Sequence, residues 1–364
     1  MQQALASPPP PATSAADAVR GAFRAALAGF RRDGGPVLVM GHNDADGLSA
    51  AAIFVRALRA AGWAAEPRIL GRGENPWSAE MVAELAGARL GGIVATDLGT
   101  RPGAIKAGTP TVVVDHHVPT GTPEGAAVIT GHGLDPIPTS SLLAYWCAGA
   151  AVAETEPLLW LAALGLIGDM AEKAGFPEME AARRACGVTA LRDAVTLLNA
   201  PRRSASGDAG PALALLLKAD GPKEITSGRH PETAALRAAR EEVKAELEAA
   251  KRIGPKVRNG VALIRFHSPC QIHPLVAQAW RGRLKDNIVL AANTGYRPGW
   301  VHFAARSARD VDLIKFLAEH APPGADENYG SGHSQATGGA LRPGDWNAFI
   351  EGLGFGPEEQ VQAA

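Results

Sequence analysis

The first half of the sequence alternates short, uninterrupted apolar runs with stretches of helical periodicity such as 48–61 and 78–86. An uninterrupted apolar run is typical of a strand that is buried on both faces. Strands that alternate with helices predict a parallel sheet covered by helices on both sides. In such sheets the loops at the carboxyl ends of the strands converge on the ligand site. We predict strands at Pro36–Met40, Ala64–Leu70, Gly92–Thr96 and Thr111–Val114.

The rest of the chain divides into segments of different character. Residues 1–14 are rich in proline and polar residues and predict a disordered leader. Residues 15–190 contain the predicted parallel-sheet domain, and 191–254 predict a helical linker region that ends in the charged helix 233–252. Residues 255–358 alternate again and predict a second, smaller α/β domain. Its expected strands are Val261–Phe266, Asn287–Asn293 and Trp300–Ala305.

Composition excludes several classes of protein. The formal net charge of the 364 residues is −1, so there is no global basic surface of the kind that holds long nucleic acid. The three cysteines lack C-x-x-C spacing, which argues against a disulfide framework or a zinc knuckle and fits a reducing compartment. The N-terminus lacks a signal-peptide pattern, and no long uncharged apolar run follows. We therefore expect a cytoplasmic protein without membrane contact.

Acids and histidines follow three of the predicted strands and end one apolar helix. They are His42, Asp44 and Asp46; Asp97; Asp115, His116 and His117; and Asp169. In an extended segment, the alternate positions 42, 44 and 46 share one face. Such crowded charges are costly to bury unless a cation compensates them. The alternative for Asp44 or Asp46 is a helix cap, and their segment alone does not decide between cap and metal ligand.

These motifs resemble a known family. In this order, G-H-N-D-A-D-G, T-D-L-G, V-D-H-H-V and I-G-D-M are similar to the four motifs of the DHH phosphoesterases. That family includes RecJ-type single-strand exonucleases, pAp-dephosphorylating enzymes, cyclic-dinucleotide phosphodiesterases and manganese pyrophosphatases. Residues 329–338 are similar to the glycine-rich G-G-G-H-x-x-A-G loop of the DHH-associated domain, with Ser331 where the family usually has glycine.

The resemblance implies a site with two divalent ions. Its ligands would be His42, Asp44 and Asp97 for one ion and Asp46, Asp97, His116 and Asp169 for the other. His117 would contact the scissile phosphate or the departing group, and Asp115 would orient the histidines. The four ligand aspartates balance the charge of two divalent ions. Oxygen and imidazole ligands without thiolate favour Mn²⁺ or Mg²⁺, and the two histidines favour Mn²⁺.

For the second domain, the resemblance implies that Arg306 and the glycine-rich loop hold substrate phosphates. The loop residues concerned are Gly330, Gly332 and His333. The remaining histidines of this half lack such a context, and we take His267, His273 and His302 as structural.

The leading hypothesis is an exonuclease or phosphodiesterase that acts on single-stranded nucleic acid or short oligonucleotides. Short substrates are favoured because we expect no added oligonucleotide-binding barrel. A pAp phosphatase or a cyclic-dinucleotide phosphodiesterase is the alternative, and a pyrophosphatase is a weaker one. A non-catalytic scaffold is disfavoured because every ligand position is filled. Whether the protein forms a homodimer or binds a partner from replication or repair stays open.

Overall fold

The computed structural model describes residues 14–326 and 329–362, and only the backbone of 331–333. The predicted leader lies outside the described residues except for Ser14, which caps the first helix. The helices are α1 (Ala15–Ala28), α2 (Ala45–Ala60), α3 (Ala79–Leu85), α4 (Ser140–Ala148), α5 (Leu159–Gly168), α6 (Pro177–Cys186), α7 (Val188–Leu198), α8 (Ala200–Arg203), α9 (Gly210–Lys218), α10 (Pro222–Ser227), α11 (Glu232–Lys251), α12 (His273–Arg281), α13 (Leu313–Glu319) and α14 (Pro343–Gly352). No helix of this described part is long and apolar enough to cross a membrane.

The chain forms two compact units. The N-terminal unit comprises the chain up to Asn199 together with Asp208–Leu236, and the C-terminal unit comprises Ala200–Gly207 and the chain from Arg237 onward. Helix α11 therefore begins in one unit and continues into the other. The domain boundaries expected at 190 and 254 stay predictions.

The N-terminal unit is built on a parallel sheet. Its strands are β1 (Val37–Gly41), β2 (Ala65–Ile69), β3 (Gly92–Thr96), β4 (Thr111–Asp115) and β5 (Ala126–Thr130). They pair in the order β2-β1-β3-β4-β5, and every pair is parallel. The fold class is the predicted one. Strand β5 was not predicted, because it is a partly exposed edge strand without an uninterrupted buried run.

Both faces of this sheet are covered, as the apolar runs predicted. In β1, Val37 and Val39 belong to a core that also contains buried side chains of α2, α4 and α5. Leu38 and Met40 belong to a core on the other face that contains Met81 of α3. Alternate residues of a strand point to opposite faces, so β1 needs apolar residues at every position.

The C-terminal unit contains a mixed sheet. Its strands are β6 (Lys256–Arg258), β7 (Val261–Phe266), β8 (Ile288–Asn293), β9 (Val301–Ser307), β10 (Tyr329–His333) and β11 (Ala336–Leu341). They pair in the order β10-β11-β9-β8-β7-β6, with only β7 and β8 parallel. The prediction that the glycine-rich segment forms a loop is wrong. Residues 329–341 form the antiparallel hairpin β10–β11, and the glycines lie in its strands.

Candidate metal centre

The loop after β1 brings three predicted ligands to the edge of the sheet. Asp44 caps α2, accepting a hydrogen bond from Gly47 N at 3.1 Å, and its other oxygen lies 3.0 Å from His42 Nδ1. Asp44 therefore acts as the helix cap and contacts His42 at the same time, and its role as a metal ligand stays a prediction. The extended segment predicted as far as Asp46 is wrong, because α2 begins at Ala45 and Asp46 lies in its first turn. A Cβ at Gly47 would lie 2.6 Å from His42 Cβ, so this tight turn requires glycine.

Asp97 lies at the centre of the cluster. It follows β3 with a left-handed backbone (φ 62°) and is buried. Its Oδ2 is 3.6 Å from His42 Nδ1, while its Oδ1 is 3.5 Å from His116 Nε2 and accepts a hydrogen bond from Ser140 Oγ at 2.9 Å. The two oxygens thus face different histidines, an arrangement that would let Asp97 bind two ions at once.

His116 is surrounded by further carboxylates. Its Nε2 lies 3.2 Å from Asp169 Oδ2 and 4.0 Å from Asp46 Oδ2. This nitrogen is buried and makes no well-directed hydrogen bond with the described residues. An imidazole nitrogen this close to buried carboxylates needs a positive charge between them, which either a proton or a metal cation can supply.

Asp46 is fully buried, and α4 holds it in place. The backbone N–H groups of Ser140 and Ser141, in the first turn of α4, donate to its two carboxylate oxygens at 2.8 and 2.9 Å. Burial, and then the charges of Asp97 and Asp169, raise the pKa of Asp46 above its usual range. Sequence reasoning missed Ser140 and Ser141. Their only sequence signal is the Thr-Ser-Ser start of a helix.

The other acid after β4 contacts a histidine. Asp115 Oδ1 lies 3.0 Å from His117 Nδ1 and accepts from His117 N at 2.7 Å, while Oδ2 accepts from Gly99 N at 2.7 Å. Burial alone would raise the pKa of Asp115, but the hydrogen bond and charge of His117 lower it. Asp115 therefore contacts both the backbone and the ring of His117, and the roles predicted for the two residues stay predictions.

The carboxylates change how the histidines titrate. Burial alone would lower the pKa of His42, but the hydrogen bonds and charges of Asp44 and Asp97 raise it to about 10. Burial also opposes protonation of His116, and the surrounding carboxylates, Asp169 first among them, raise its pKa to about 11. At neutral pH the protons on these histidines compensate the negative charge of the acids, and a bound cation would replace those protons.

The donor atoms fit a divalent metal. The ligand atoms fall into three overlapping groups, in each of which they lie within 4.8 Å of one another: His42, Asp44 and Asp97; Asp97, His116 and His117; and Asp46, His116 and Asp169. Every predicted ligand belongs to one of these groups. Carboxylate and imidazole donors without thiolate suit Mn²⁺ or Mg²⁺. A cavity of about 380 Å³ opens beside Asp97 and Asp169.

The C-terminal unit contains the predicted phosphate-binding residues. Arg306, on β9, is partly buried and donates to the carbonyls of Ala305 and Thr337 at 2.8 and 3.1 Å. Gly330 lies in β10 with φ 78°. Gly332 also lies in β10, and the side chain of His333 is outside the described part.

Two histidines taken as structural lie near Arg306. The rings of His273 and His302 are 5.9 Å apart, and both lie within 6 Å of Tyr296. Burial, His302 and Arg306 together lower the pKa of His273 to about 3. No sequence pattern predicts this grouping, because the residues come from separate elements of the unit.

Residues 36–168 match the model of the DHH family, N-terminal domain. This part of the chain is a DHH domain. The predicted resemblance is thereby confirmed for the segment that contains the first three motifs and the start of the fourth. No curated protein matches the chain significantly.

Solved structures extend the similarity beyond the DHH domain. RecJ from Thermus thermophilus in complex with Mn²⁺ superposes with a TM-score of 0.67 at 23% identity, covering 95% of this chain and 55% of RecJ. A manganese-bound exonuclease RecJ gives 0.66 at 22% identity, covering 94% of this chain and 95% of that one. The chain thus spans about half of the first relative's length. The TM-scores show a RecJ-like fold.

Proposed function

We propose that this protein is a metal-dependent phosphodiesterase that hydrolyses single-stranded or short oligonucleotides, releasing nucleotides from one end. The observation that supports this most is Asp97, whose two oxygens face different histidines within the DHH domain. Relatives of the same fold were solved with Mn²⁺ or Mg²⁺, and the RecJ relatives include an exonuclease.

The charges of the site suit two divalent ions and an anionic substrate. The side chains of Asp44, Asp46, Asp97 and Asp169 supply four negative charges, which two divalent ions neutralise. A phosphodiester would then approach a site that is close to neutral. When bound, a pair of divalent ions lowers the pKa of a shared water and stabilises both the attacking and the departing oxygen. We favour Mn²⁺ because two histidines are among the ligands.

The protein's own groups would orient the substrate and move a proton. Asp115 accepts from Nδ1 of His117 and leaves Nε2 as the other ring nitrogen for the scissile phosphate or the departing oxygen. His117 is half exposed and reaches the cavity beside Asp97. Asp115 raises the pKa of His117, which favours the protonated form that can give a proton to the departing group.

In the C-terminal unit, we propose that Arg306, Gly330, Gly332 and His333 bind phosphates of the substrate. Arg306 has no carboxylate partner among the described residues. A guanidinium held by two backbone carbonyls keeps donors for an anion. The glycines allow a substrate to approach the backbone of the hairpin closely.

A pAp phosphatase or a cyclic-dinucleotide phosphodiesterase remains the second candidate, since the same centre would serve either substrate. The cavity of about 380 Å³ is near the lower end of the range for small-ligand pockets, which suits a single nucleotide as well as the end of a strand. The digestion panel below separates these substrates.

The test is a digestion panel with Mn²⁺ or Mg²⁺. It contains 5′- and 3′-labelled DNA and RNA of several lengths, pAp and cyclic dinucleotides. We expect shortening of single strands from one end, and at least a roughly 1000-fold loss in Asp97→Asn because a bridging ligand is altered. Asp193→Asn is the matched control, since Asp193 is exposed on α7. Full activity of Asp97→Asn, or no hydrolysis of any substrate by the wild type, would contradict the proposal.

A further inference from the structure

Two apolar side chains stand in solvent beside the metal centre. Met170 directly follows Asp169 and is 91% exposed, and Val118 directly follows His117 and is 68% exposed. The next most exposed large apolar side chain among the described residues, Ile137, reaches only 47%. Single exposed apolar residues are ordinary on protein surfaces. Here, however, each of the two most exposed ones directly follows a residue of the centre, and Val118 also lines the cavity beside it.

The backbone at Met170 gives a second, independent observation. Helix α5 ends in a pair of hydrogen bonds, from Met170 N to Ile167 O at 3.2 Å and from Ala171 N to Leu166 O at 2.8 Å. In this motif the residue at the position of Met170 is left-handed and is usually glycine. Met170 has φ 59°. The chain thus keeps a long apolar side chain, fully in solvent, where glycine would be less strained.

Part of the lining of the neighbouring cavity is apolar. Val118, Leu98 and Pro76 line it together with Asp97 and Asp169. The acidic side chains of the lining suit a phosphate bound through cations, whereas the apolar side chains make no favourable contact with a charged group. A nucleotide combines both characters, because its phosphate is charged while its base is flat and apolar on its faces. The thioether of methionine is polarisable and makes favourable contacts with aromatic rings.

We propose that Met170 and Val118 bind the nucleobase next to the scissile phosphate, and that this contact makes the site selective for nucleotides over phosphate esters that lack a base. The inference rests on the proposed function, because it assigns the substrate class of the same site. It also separates this centre from one that acts on inorganic or base-free phosphates, which would gain nothing from two apolar side chains in water.

The test compares ligands that differ only in the base. Dissociation constants of AMP and ribose 5-phosphate are measured by calorimetry in the presence of Mn²⁺. Hydrolysis is measured on a short oligonucleotide and on the same strand with abasic terminal residues. The variants are Met170→Asn, which tolerates the left-handed backbone but removes the apolar contact, Met170→Leu, which retains it, and the double variant Met170→Asn with Val118→Ser. Val82→Ser on α3 is the control, since Val82 is a partly exposed valine outside the cavity lining.

We expect the wild type to bind AMP more tightly than ribose 5-phosphate. Removing the Met170 contact should weaken AMP binding about 2- to 10-fold, the range for a sulfur–aromatic contact, and the double variant should weaken it further, while ribose 5-phosphate binding and abasic hydrolysis stay unchanged. Met170→Leu and the control should keep the preference. An equal affinity of the wild type for both ligands, or an unchanged preference in the double variant, overturns the inference. Absence of metal-dependent hydrolysis on both strands overturns the proposed function, and the inference with it.

Discussion

Replacing Gly165 by alanine probes the buried carboxylate without changing a ligand. Gly165 lies in α5. A Cβ at this position would lie well under 3.0 Å from both Asp46 Oδ1 and Ser141 Oγ, so that the atoms would overlap. Asp46 must therefore move. A shift of Oδ1 by about 1 Å takes the 2.9 Å hydrogen bond that it accepts from Ser141 N beyond hydrogen-bonding distance.

The size of the effect follows from opposing contributions. Alanine is a better helix former than glycine by about 1 kcal/mol. Overpacking a filled site costs about 1–3 kcal/mol, and losing a hydrogen bond to a charged group costs about 1.5–3 kcal/mol. We expect the metal-free variant to be less stable by about 1.5–5 kcal/mol. Because Asp46 is a ligand proposed for one ion, the affinity for that ion should fall by about 10- to 100-fold, the range for changes that reorient ligands.

The assay is a calorimetric Mn²⁺ titration with thermal unfolding in chelator. The matched control is Gly21→Ala in α1, where a Cβ meets nothing within 4 Å and the helix should gain stability. In Gly165→Ala, the ion proposed for Asp46, Asp97, His116 and Asp169 should bind weakly while the other binds nearly normally. If Gly165→Ala binds both ions as the wild type does, Asp46 is not a ligand and the assignment of that ion is wrong.

Three further expectations concern the same centre. Asp115→Asn should lower kcat by about 10- to 100-fold while Mn²⁺ still binds, because His117 loses the carboxylate that orients it; a parallel loss of Mn²⁺ binding would contradict the positioning role. Since the pKa values of His42 and His116 are about 10 and about 11 in the metal-free protein, each holds a proton at pH 7 that a metal must displace. Mn²⁺ affinity should therefore rise from pH 6 to 9 with proton release, seen as a buffer-dependent binding enthalpy; a pH-independent affinity would refute this. Saturating Mn²⁺ at about 100 times Kd should stabilise the protein by about 2.7 kcal/mol for each ion bound, seen as a drop in Tm when chelator is added; an unchanged Tm would contradict binding to the folded state.

Those parts of the fold that depend on local pattern could be predicted from the sequence. The run that forms β1 is apolar at each position because both faces of the sheet are covered. The run that forms β7 was also predicted with its observed limits. Strand β5 was missed because an exposed edge strand carries no such pattern. The hairpin β10–β11 was missed because its glycines are typical of turns, and only pairing with β9 makes them strands.

The hydrogen bonds that hold the acids of the site in place could not be predicted in the same way. The sequence shows that acids follow the strands, but not which donors hold them. Asp46 is held by N–H groups of Ser140 and Ser141, which lie 94 and 95 residues further along the chain. Every helix start offers such N–H groups, so the sequence alone does not select this one.

The order of the strands decides whether the two halves of the centre meet. In the observed order, β1 and β3 are neighbours, and His42 and Asp97, which directly follow them, approach to 3.6 Å. In a sheet ordered as in the sequence, β2 would separate them, and the added strand spacing of about 4.8 Å would place them beyond reach of a common ion. The chain leaves β1 for β2 on one side and returns to β3 on the other, so the loops part at this point and leave room for a ligand. The centre thus depends on a long-range pairing that no segment of the sequence specifies by itself.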